Sequence, residues 1–350
     1  MAENNKAKTP LWTCFIPVRG DRVFTALRKI LFPIIIVWLA VVLYMIKGKY
    51  EKPKPDPVLI KNVSLLDDFS VEEAPVIPVT GKKPATILPE YKELYEQNND
   101  MIGWIKIDGT AIDYPVMQVK GFDGTINYKH IYNQNMVYLE HDFYGNYSFA
   151  GCVTADYRAV FDKNKRPANA LIYGHNLLNG TYFHNLRYYD IPVHGREFYD
   201  EHPTIQLDTI YEKGTYKIFA VMEQNTLASE GEVFYYDTVY KFDNQKQFNS
   251  YYAKVLDRSF IYNPEVDLVY GDEVIALSTC TFPYGKSINL RLVIYARRVR
   301  EGEDPTVDVS KTIINEDPLM YDYYYRVHGG EWGGRKWDPA LLRGFKPKKT

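Results

Sequence analysis

Eight short apolar segments lie between residues 103 and 299, and turn residues separate them. The turns include Asp108-Gly109, Asn179-Gly180 and Lys213-Gly214, which are typical of strand ends. Eight short strands in about 200 residues predict a β-barrel or a β-sandwich. The chain has 350 residues, of which 46% are hydrophobic, so it is long enough for one sizeable core plus appendages. The predicted strands are 103–107, 112–118, 151–155, 170–173, 204–210, 216–222, 273–279 and 292–297.

Apolar residues at helical spacing predict three helices among these strands. The first, 88–98, precedes the first strand, and the second, 182–189, follows the fourth. The third, 244–260, carries an aromatic and aliphatic stripe that favours packing against the core. The fold class expected from this pattern is mainly β with added helices.

The N-terminal part contains a run without charges, residues 30–46, which spans roughly 25 Å as a helix at 1.5 Å per residue. Six basic residues precede it and four follow it, so we expect a transmembrane helix with residues 1–29 in the cytoplasm. The alternative is a cleaved signal peptide, but no small-residue cleavage site follows the run. Residues 47–86 are punctuated by six prolines and predict an extended extracellular linker.

Three residues at strand ends carry the candidate chemistry. Cys280 ends an apolar strand, Arg291 opens the next one, and His175 follows the strand that ends at Tyr173. A thiol nucleophile needs a group that exchanges protons and a fixed cation for the developing anion, and these residue types supply both. Taken singly, His175 fits a structural histidine, and Arg291 fits a surface arginine paired with a carboxylate.

The remaining composition excludes several other classes. Cys14, Cys152 and Cys280 form neither a CxxC pair nor a metal-spaced cluster, and we expect Cys152 to be a buried inert thiol. The formal net charge of −2 gives no electrostatic reason to expect nucleic acid as a partner. No metal site, phosphate-binding glycine loop or other cofactor motif is expected.

Seven segments in order resemble the class B sortases, membrane-anchored cysteine transpeptidases of Gram-positive bacteria. The resemblance covers about residues 87–300, and the helix 244–260 distinguishes class B from the smaller class A form. The segments are Asn99-Asp-Met-Ile-Gly-Trp-Ile-Lys-Ile107, Ile112-Asp-Tyr-Pro-Val-Met-Gln118, Tyr138-Leu-Glu-His-Asp-Phe143, Ile172-Tyr-Gly-His-Asn176, Phe183-His-Asn-Leu186, Leu277-Ser-Thr-Cys280 and Arg291-Leu-Val-Ile294.

The resemblance implies an eight-stranded β-barrel with an N-terminal helix and a helix before the strand of Cys280. It implies Cys280 as nucleophile, His175 as general acid/base and Arg291 as substrate and oxyanion clamp. Asn176, Ser278 and Thr279 become the expected substrate-binding residues.

The implied reaction cuts a sorting signal of the Leu-Pro-x-Thr-Gly or Asn-Pro-x-Thr-Asn kind after its threonine. The implied partners are surface proteins or pilins that carry the signal. The acceptor amine belongs to a cell-wall peptide precursor or to a pilin lysine.

Some features depart from the family pattern. Thr281 and Phe282 follow Cys280 where some relatives carry an acidic residue, so no carboxylate partner for His175 can be assigned nearby. The extension 301–350 has no assigned role. Ile77-Pro-Val-Thr-Gly81 has the form of a sorting signal. We interpret it either as a chance match in a proline-rich linker or as a tethered pseudo-substrate.

Two other functions remain as alternatives. A papain-like peptidase is disfavoured, because its cysteine begins a helix and its histidine lies downstream, whereas His175 precedes Cys280. An extracellular binding module with a buried Cys280 would have no catalytic thiol.

Overall fold

A computed structural model describes residues 22–50, 86–119, 134–159, 161, 163 and 166–346. The chain divides into two units, residues 1–71 and 72–350. In the first unit, helix α1 spans Val23–Tyr50 and contains the expected membrane segment 30–46. No helix among the described residues is long and apolar enough to cross a membrane, so that expectation is not supported. Residues 47–50, predicted as linker, belong to this helix, while residues 77–81 and Cys14 lie outside the described part.

Eight strands close a barrel, which decides between the two architectures left open by the sequence. Their order is β1-β2-β3-β4-β8-β9-β6-β5, and β5 pairs with β1 to close the ring. Each of the eight predicted strands is present. The strands are β1 Met101–Lys106, β2 Asp113–Met117, β3 Val153–Ala155, β4 Asn169–Tyr173, β5 Thr204–Thr209, β6 Thr215–Asn225, β8 Val274–Thr281 and β9 Leu290–Arg298.

Helices precede, interrupt and follow these strands, and two further strands form a separate sheet. The three predicted helices are found as α2 Pro89–Gln97, the 3₁₀ helix Phe183–Tyr189 and α6 Gln245–Arg258. Shorter helices are α3 Met136–Leu139, α4 Ile191–His194, α5 Glu197–Glu201 and α7 Asp322–His328. The small sheet pairs β7 Ile261–Tyr262 with β10 Ile313–Ile314.

Two hydrophobic clusters lie on opposite faces of the barrel wall. Ile172, Leu277 and Leu292 belong to the cluster inside the barrel. Leu171, Ala276 and Val293, their neighbours in sequence, belong to a second cluster that includes the buried face of α6. Since successive side chains of a strand point to opposite faces, this alternation assigns every residue of these strands to one face.

The extension after residue 300 packs as part of the same unit. Met320 and Tyr321 join the cluster inside the barrel, and Trp337 joins the cluster beneath α6. Glu303 makes ion pairs with Arg297, which is fully buried, and with Lys217. The extension therefore supplies core side chains and a buried counter-charge, which its polar composition had not indicated.

Candidate active site

The topology brings three distant segments to one end of the barrel. Strand β4 runs parallel to β8 with Tyr173 paired to Ser278, so extension by two residues places His175 beside Cys280. Strand β9 runs antiparallel to β8, and Arg291 is the direct partner of Cys280. Directly opposed residues of such a pair have Cβ atoms about 4.5–5.5 Å apart.

The side chains of Cys280 and Arg291 lie on the same face of the wall. Cys280 is four residues from Ala276, and Arg291 is two residues from Val293, so both share the face of the α6 cluster. His175 follows the end of β4 by two residues and is four residues from Leu171, which belongs to that cluster. Cys280 and His175 are both half-buried, which leaves the thiol and the imidazole accessible from solvent.

A backbone carbonyl orients His175. Its Nε2 lies 2.9 Å from the oxygen of Leu139, and because a carbonyl only accepts, Nε2 carries the proton of this bond. The Phe149 ring stacks on the imidazole with the ring centres 6.0 Å apart. Nδ1 is therefore the nitrogen left for proton exchange. No acidic partner for His175 could be assigned from the sequence, and this carbonyl fills that place.

Asn176 holds the backbone of Cys280. Its Nδ2 donates to the Cys280 carbonyl oxygen at 2.9 Å, and its Oδ1 accepts from Nδ1 of His184, also at 2.9 Å. Burial first, and then the charge of Arg187, lower the pKa of His184. The amide predicted to bind substrate thus fixes the end of the strand that carries Cys280.

Ser278 and Thr279 are buried and already bonded inside the protein. The Ser278 hydroxyl lies 2.8 Å from the Tyr236 hydroxyl, on the same face as Cys280. The Thr279 hydroxyl donates to the carbonyl of Gly174 at 2.7 Å. Both residues therefore support the strand ends from within, and the ring of Tyr236 is a neighbour that the sequence did not single out.

Arg291 is held at one end of its guanidinium. Nη1 donates to Oδ1 of Asn289 at 2.6 Å and to the carbonyl of Leu290 at 3.0 Å. Among the described residues, Nε and Nη2 have no hydrogen-bond partner and no carboxylate pairs with this side chain. Asn289 is in turn fixed by Glu230, which accepts from its backbone nitrogen. The surface arginine paired with a carboxylate, considered from the sequence, is not what the structure shows.

A buried ion pair supports the end of β4. The Tyr173 hydroxyl donates to Oδ2 of Asp156 at 2.9 Å, and Arg158 pairs with the same carboxylate at 2.7 Å. Burial raises the pKa of Asp156, but the Arg158 guanidinium outweighs it and holds that pKa below its usual range. The carboxylate thus stays ionised and anchors the strand that leads into His175.

The second described cysteine has a different environment. Cys152 is buried, and burial raises the pKa of its thiol to about 12. The predicted burial of Cys152 is confirmed, and the raised pKa agrees with an inert thiol, because a protonated thiol is a poor nucleophile.

Known proteins are similar in sequence to this chain. Residues 105–299 match the sortase domain family. Sortase B of Listeria monocytogenes is 31% identical over 225 residues, which cover 63% of this chain and 78% of that protein. Sortase B of Staphylococcus aureus is 27% identical over 220 residues, covering 63% of this chain and 79% of that protein.

A solved structure, the Staphylococcus aureus sortase B–substrate complex, is 27% identical and covers 61% of this chain and 86% of that one, with a TM-score of 0.49. The family match takes in more than half of the chain and contains all three candidate residues. This chain belongs to the sortase family and is a class B sortase, an enzyme of the cysteine transpeptidase type that acts on sorting signals.

Proposed function

We propose that Cys280 attacks the threonine carbonyl of a sorting signal of the Leu-Pro-x-Thr-Gly or Asn-Pro-x-Thr-Asn kind. A carbon–sulfur bond forms, the peptide bond after threonine breaks, and the leaving amine takes a proton from His175. An acceptor amine then attacks the thioester, gives its proton to His175, and releases the thiolate of Cys280.

One observation supports this proposal: Cys280 and Arg291 are direct partners on β8 and β9, and β4, which pairs with β8, leads into His175. The register Cys280–Arg291 supports Arg291 as the group that stabilises the oxyanion, because Nε and Nη2 make no other bond among the described residues. The bond from His175 to Leu139 supports proton exchange through Nδ1. Asn176, Ser278 and Thr279 would shape the substrate groove by fixing its strands.

Acyl-enzyme formation tests the assignment. The full chain is mixed with a panel of sorting peptides, and mass spectrometry follows a mass increase on Cys280. We expect a thioester with a threonine-ended fragment, lost completely in Cys280→Ala. His175→Ala and Arg291→Ala should each lower its rate by at least 100-fold, because general acid–base catalysis and a single oxyanion donor are each worth about 10²-fold or more.

Matched substitutions separate catalysis from folding. His194→Ala and Arg343→Ala remove the same side-chain types elsewhere in the unit and should leave acylation within a factor of two of the parent. Full activity of His175→Ala or Arg291→Ala would remove that residue from the proposed site. If a reagent for accessible thiols does not label Cys280, the result favours the non-catalytic binding module instead.

The acceptor is proposed to be an amine of a cell-wall peptide precursor. The alternative is a pilin lysine, which would make the enzyme a pilus polymerase. Competition between a wall-peptide amine and a lysine peptide for the same acyl-enzyme decides between them, because the preferred acceptor gives the larger share of product.

Sortases are usually extracellular or membrane-associated. For this chain we propose a single-pass topology with the N-terminus in the cytoplasm and residues 87–300 outside. The support is the charge-free run 30–46 and the basic residues that precede it. In intact cells, an impermeant thiol reagent should label Cys280 and spare Cys14. Labelling of both cysteines would contradict this topology, and Cys280→Ala identifies the labelled position.

A further inference from the structure

An unusual apolar surface flanks His175. Among the described residues from 86 to 346, the four most exposed large apolar side chains are Tyr144 at 71%, Tyr147 at 71%, Phe149 at 76% and Leu178 at 88%. Leu178 follows His175 by three residues, and Phe149 stacks on its ring. Such side chains are costly to leave in water. Three of them lie within the segment 144–149, whose Phe149 stacks on His175, and this indicates a surface that another molecule covers.

A cleft of about 230 Å³ opens beside this surface. Four of its nine lining residues are aromatic, one is a carboxylate and one is a glycine: Tyr114, Phe143, Tyr144, Tyr182, Asp142 and Gly151. Tyr114 and Tyr182 stack with their ring centres 5.1 Å apart. An apolar cleft with a single charge is suited to a ligand whose charge has the opposite sign.

The cleft and His175 meet at one peptide group. The Leu139 oxygen that accepts from His175 also lies against Gly151, where an added Cβ would stand 2.5 Å from it. On the other side, Tyr182 forms a backbone bridge with Asn176, the residue after His175. In the barrel order, β3 and β8 are the two neighbours of β4, so this cleft lies toward β3 and Cys280 toward β8.

Asp142 presents a fixed negative charge to the cleft. Its Oδ1 accepts from the backbone nitrogens of Tyr144 and Asn146, both at 2.9 Å. Burial raises the pKa of Asp142, but the hydrogen bonds from Asn146 and Tyr144 outweigh it and hold that pKa below its usual range. A carboxylate beside exposed tyrosine faces attracts an ammonium group by ion pairing and by cation–π contact.

We infer that the cleft at Asp142 and the aromatic surface around Phe149 bind the amine acceptor of the second half-reaction. The inference rests on the proposed transpeptidation, in which His175 must take a proton from the incoming amine. A lysine amine is protonated at neutral pH, with a pKa of about 10.4. The carboxylate and the tyrosine rings hold this cation near His175, and transfer of one of its protons to His175 leaves the neutral amine. This amine attacks the thioester, the carbon–sulfur bond breaks, and the second proton lost by the nitrogen goes to the departing sulfur of Cys280.

The experiment uses Asp142→Asn in the full chain, with N-acetyl-lysine amide and hydroxylamine as acceptors. An asparagine keeps the Oδ1 acceptor of the turn and removes the charge, together with the bond that Oδ2 accepts from Nδ2 of Asn146 at 3.2 Å. After acylation by a sorting peptide, the ratio of aminolysis to hydrolysis is measured for each acceptor. We expect this ratio to fall 5- to 10-fold for the lysine compound and less than twofold for hydroxylamine, which is uncharged at neutral pH and too small to span the cleft.

Two further variants sharpen this test. Tyr144→Leu keeps an apolar side chain but removes the aromatic face, and the lysine ratio should again fall. Asp304→Asn is the matched control, because Asp304 also accepts a backbone hydrogen bond in an exposed turn, from Thr306 at 2.8 Å, and it lies in the extension. This variant should leave both ratios unchanged.

A binding measurement distinguishes failure of this inference from failure of the proposed function. N-acetyl-lysine amide is titrated by NMR into Cys280→Ala, which forms no thioester, and into the same protein with Asp142→Asn. Saturable binding that the second substitution weakens supports the acceptor site even if no peptide acylates the parent. The inference is overturned if Asp142→Asn changes neither binding nor the ratio. Equal losses of acylation and aminolysis would also overturn it, because the cleft would then serve the sorting signal.

Discussion

Replacement of Asp190 by asparagine should make the stability of the folded unit less dependent on pH. Asp190 precedes α4 and is 3% exposed, and its carboxyl group interacts with that of Glu223 on β6, which is 5% exposed. Burial raises the pKa of Asp190 from 3.8 to about 6. Burial, and then the charge of Asp190, raise the pKa of Glu223 well above its usual value. Tyr321 of the extension donates to Glu223 at 3.0 Å.

The magnitude follows from the difference between the folded and unfolded pKa of Asp190. Between pH 3.8 and about 6 the folded protein keeps a proton that the unfolded chain has lost. Its stability therefore falls with rising pH by about 1.4 kcal/mol per unit, or about 3 kcal/mol over the window. The contribution is complete below pH 3.8 and is lost as the pH passes about 6. Glu223 acts in the same direction.

Urea unfolding of the full chain, followed by tryptophan fluorescence from pH 4 to 7.5, measures this effect. The free energy of unfolding of Asp190→Asn, relative to the parent, should rise by about 3 kcal/mol between these two pH values. Glu223→Gln should show a change of the same sign. A difference between Asp190→Asn and the parent that stays constant with pH would refute the reasoning, because loss of packing alone does not titrate.

Three further substitutions test other parts of the structure. Glu303→Gln leaves the buried Arg297 without its counter-charge and should cost about 3–5 kcal/mol at pH 7 in urea unfolding. Burial raises the pKa of Glu303, but Arg297 outweighs it and lowers that pKa, so this cost should disappear as the pH falls far below 4.5. Gly174→Ala places a Cβ 2.6 Å from the Phe183 ring, so we expect a loss of about 1–3 kcal/mol and slower acylation. Asp257→Asn weakens the charge-assisted bonds from two side chains of the extension, which limited proteolysis should then cleave faster.

The sequence predicted the strands well because each one is an apolar run between turn residues. It could not choose between barrel and sandwich, since closure depends on pairings such as β4 with β8, whose residues are about 100 positions apart. The partner of His175 escaped prediction for another reason: Leu139 contributes a backbone oxygen, and no side-chain pattern encodes it. The extension was not predicted to pack into the core, because its composition is polar overall and only a few of its aromatic residues, such as Trp337, are buried.

The meeting of Cys280 and Arg291 depends on one register. A slip of one residue between β8 and β9 would turn Arg291 away from the face of the thiol. Eight successive pairs fix this register, and the loop that joins the strands is attached at Tyr284, whose hydroxyl lies 2.8 Å from Nε2 of His328 in α7. The side chain of Tyr284 also packs against the cluster inside the barrel, to which Tyr321 belongs. The extension thus contacts the loop between the proposed nucleophile and the proposed oxyanion clamp. The packing of the extension and the geometry of the site therefore depend on each other.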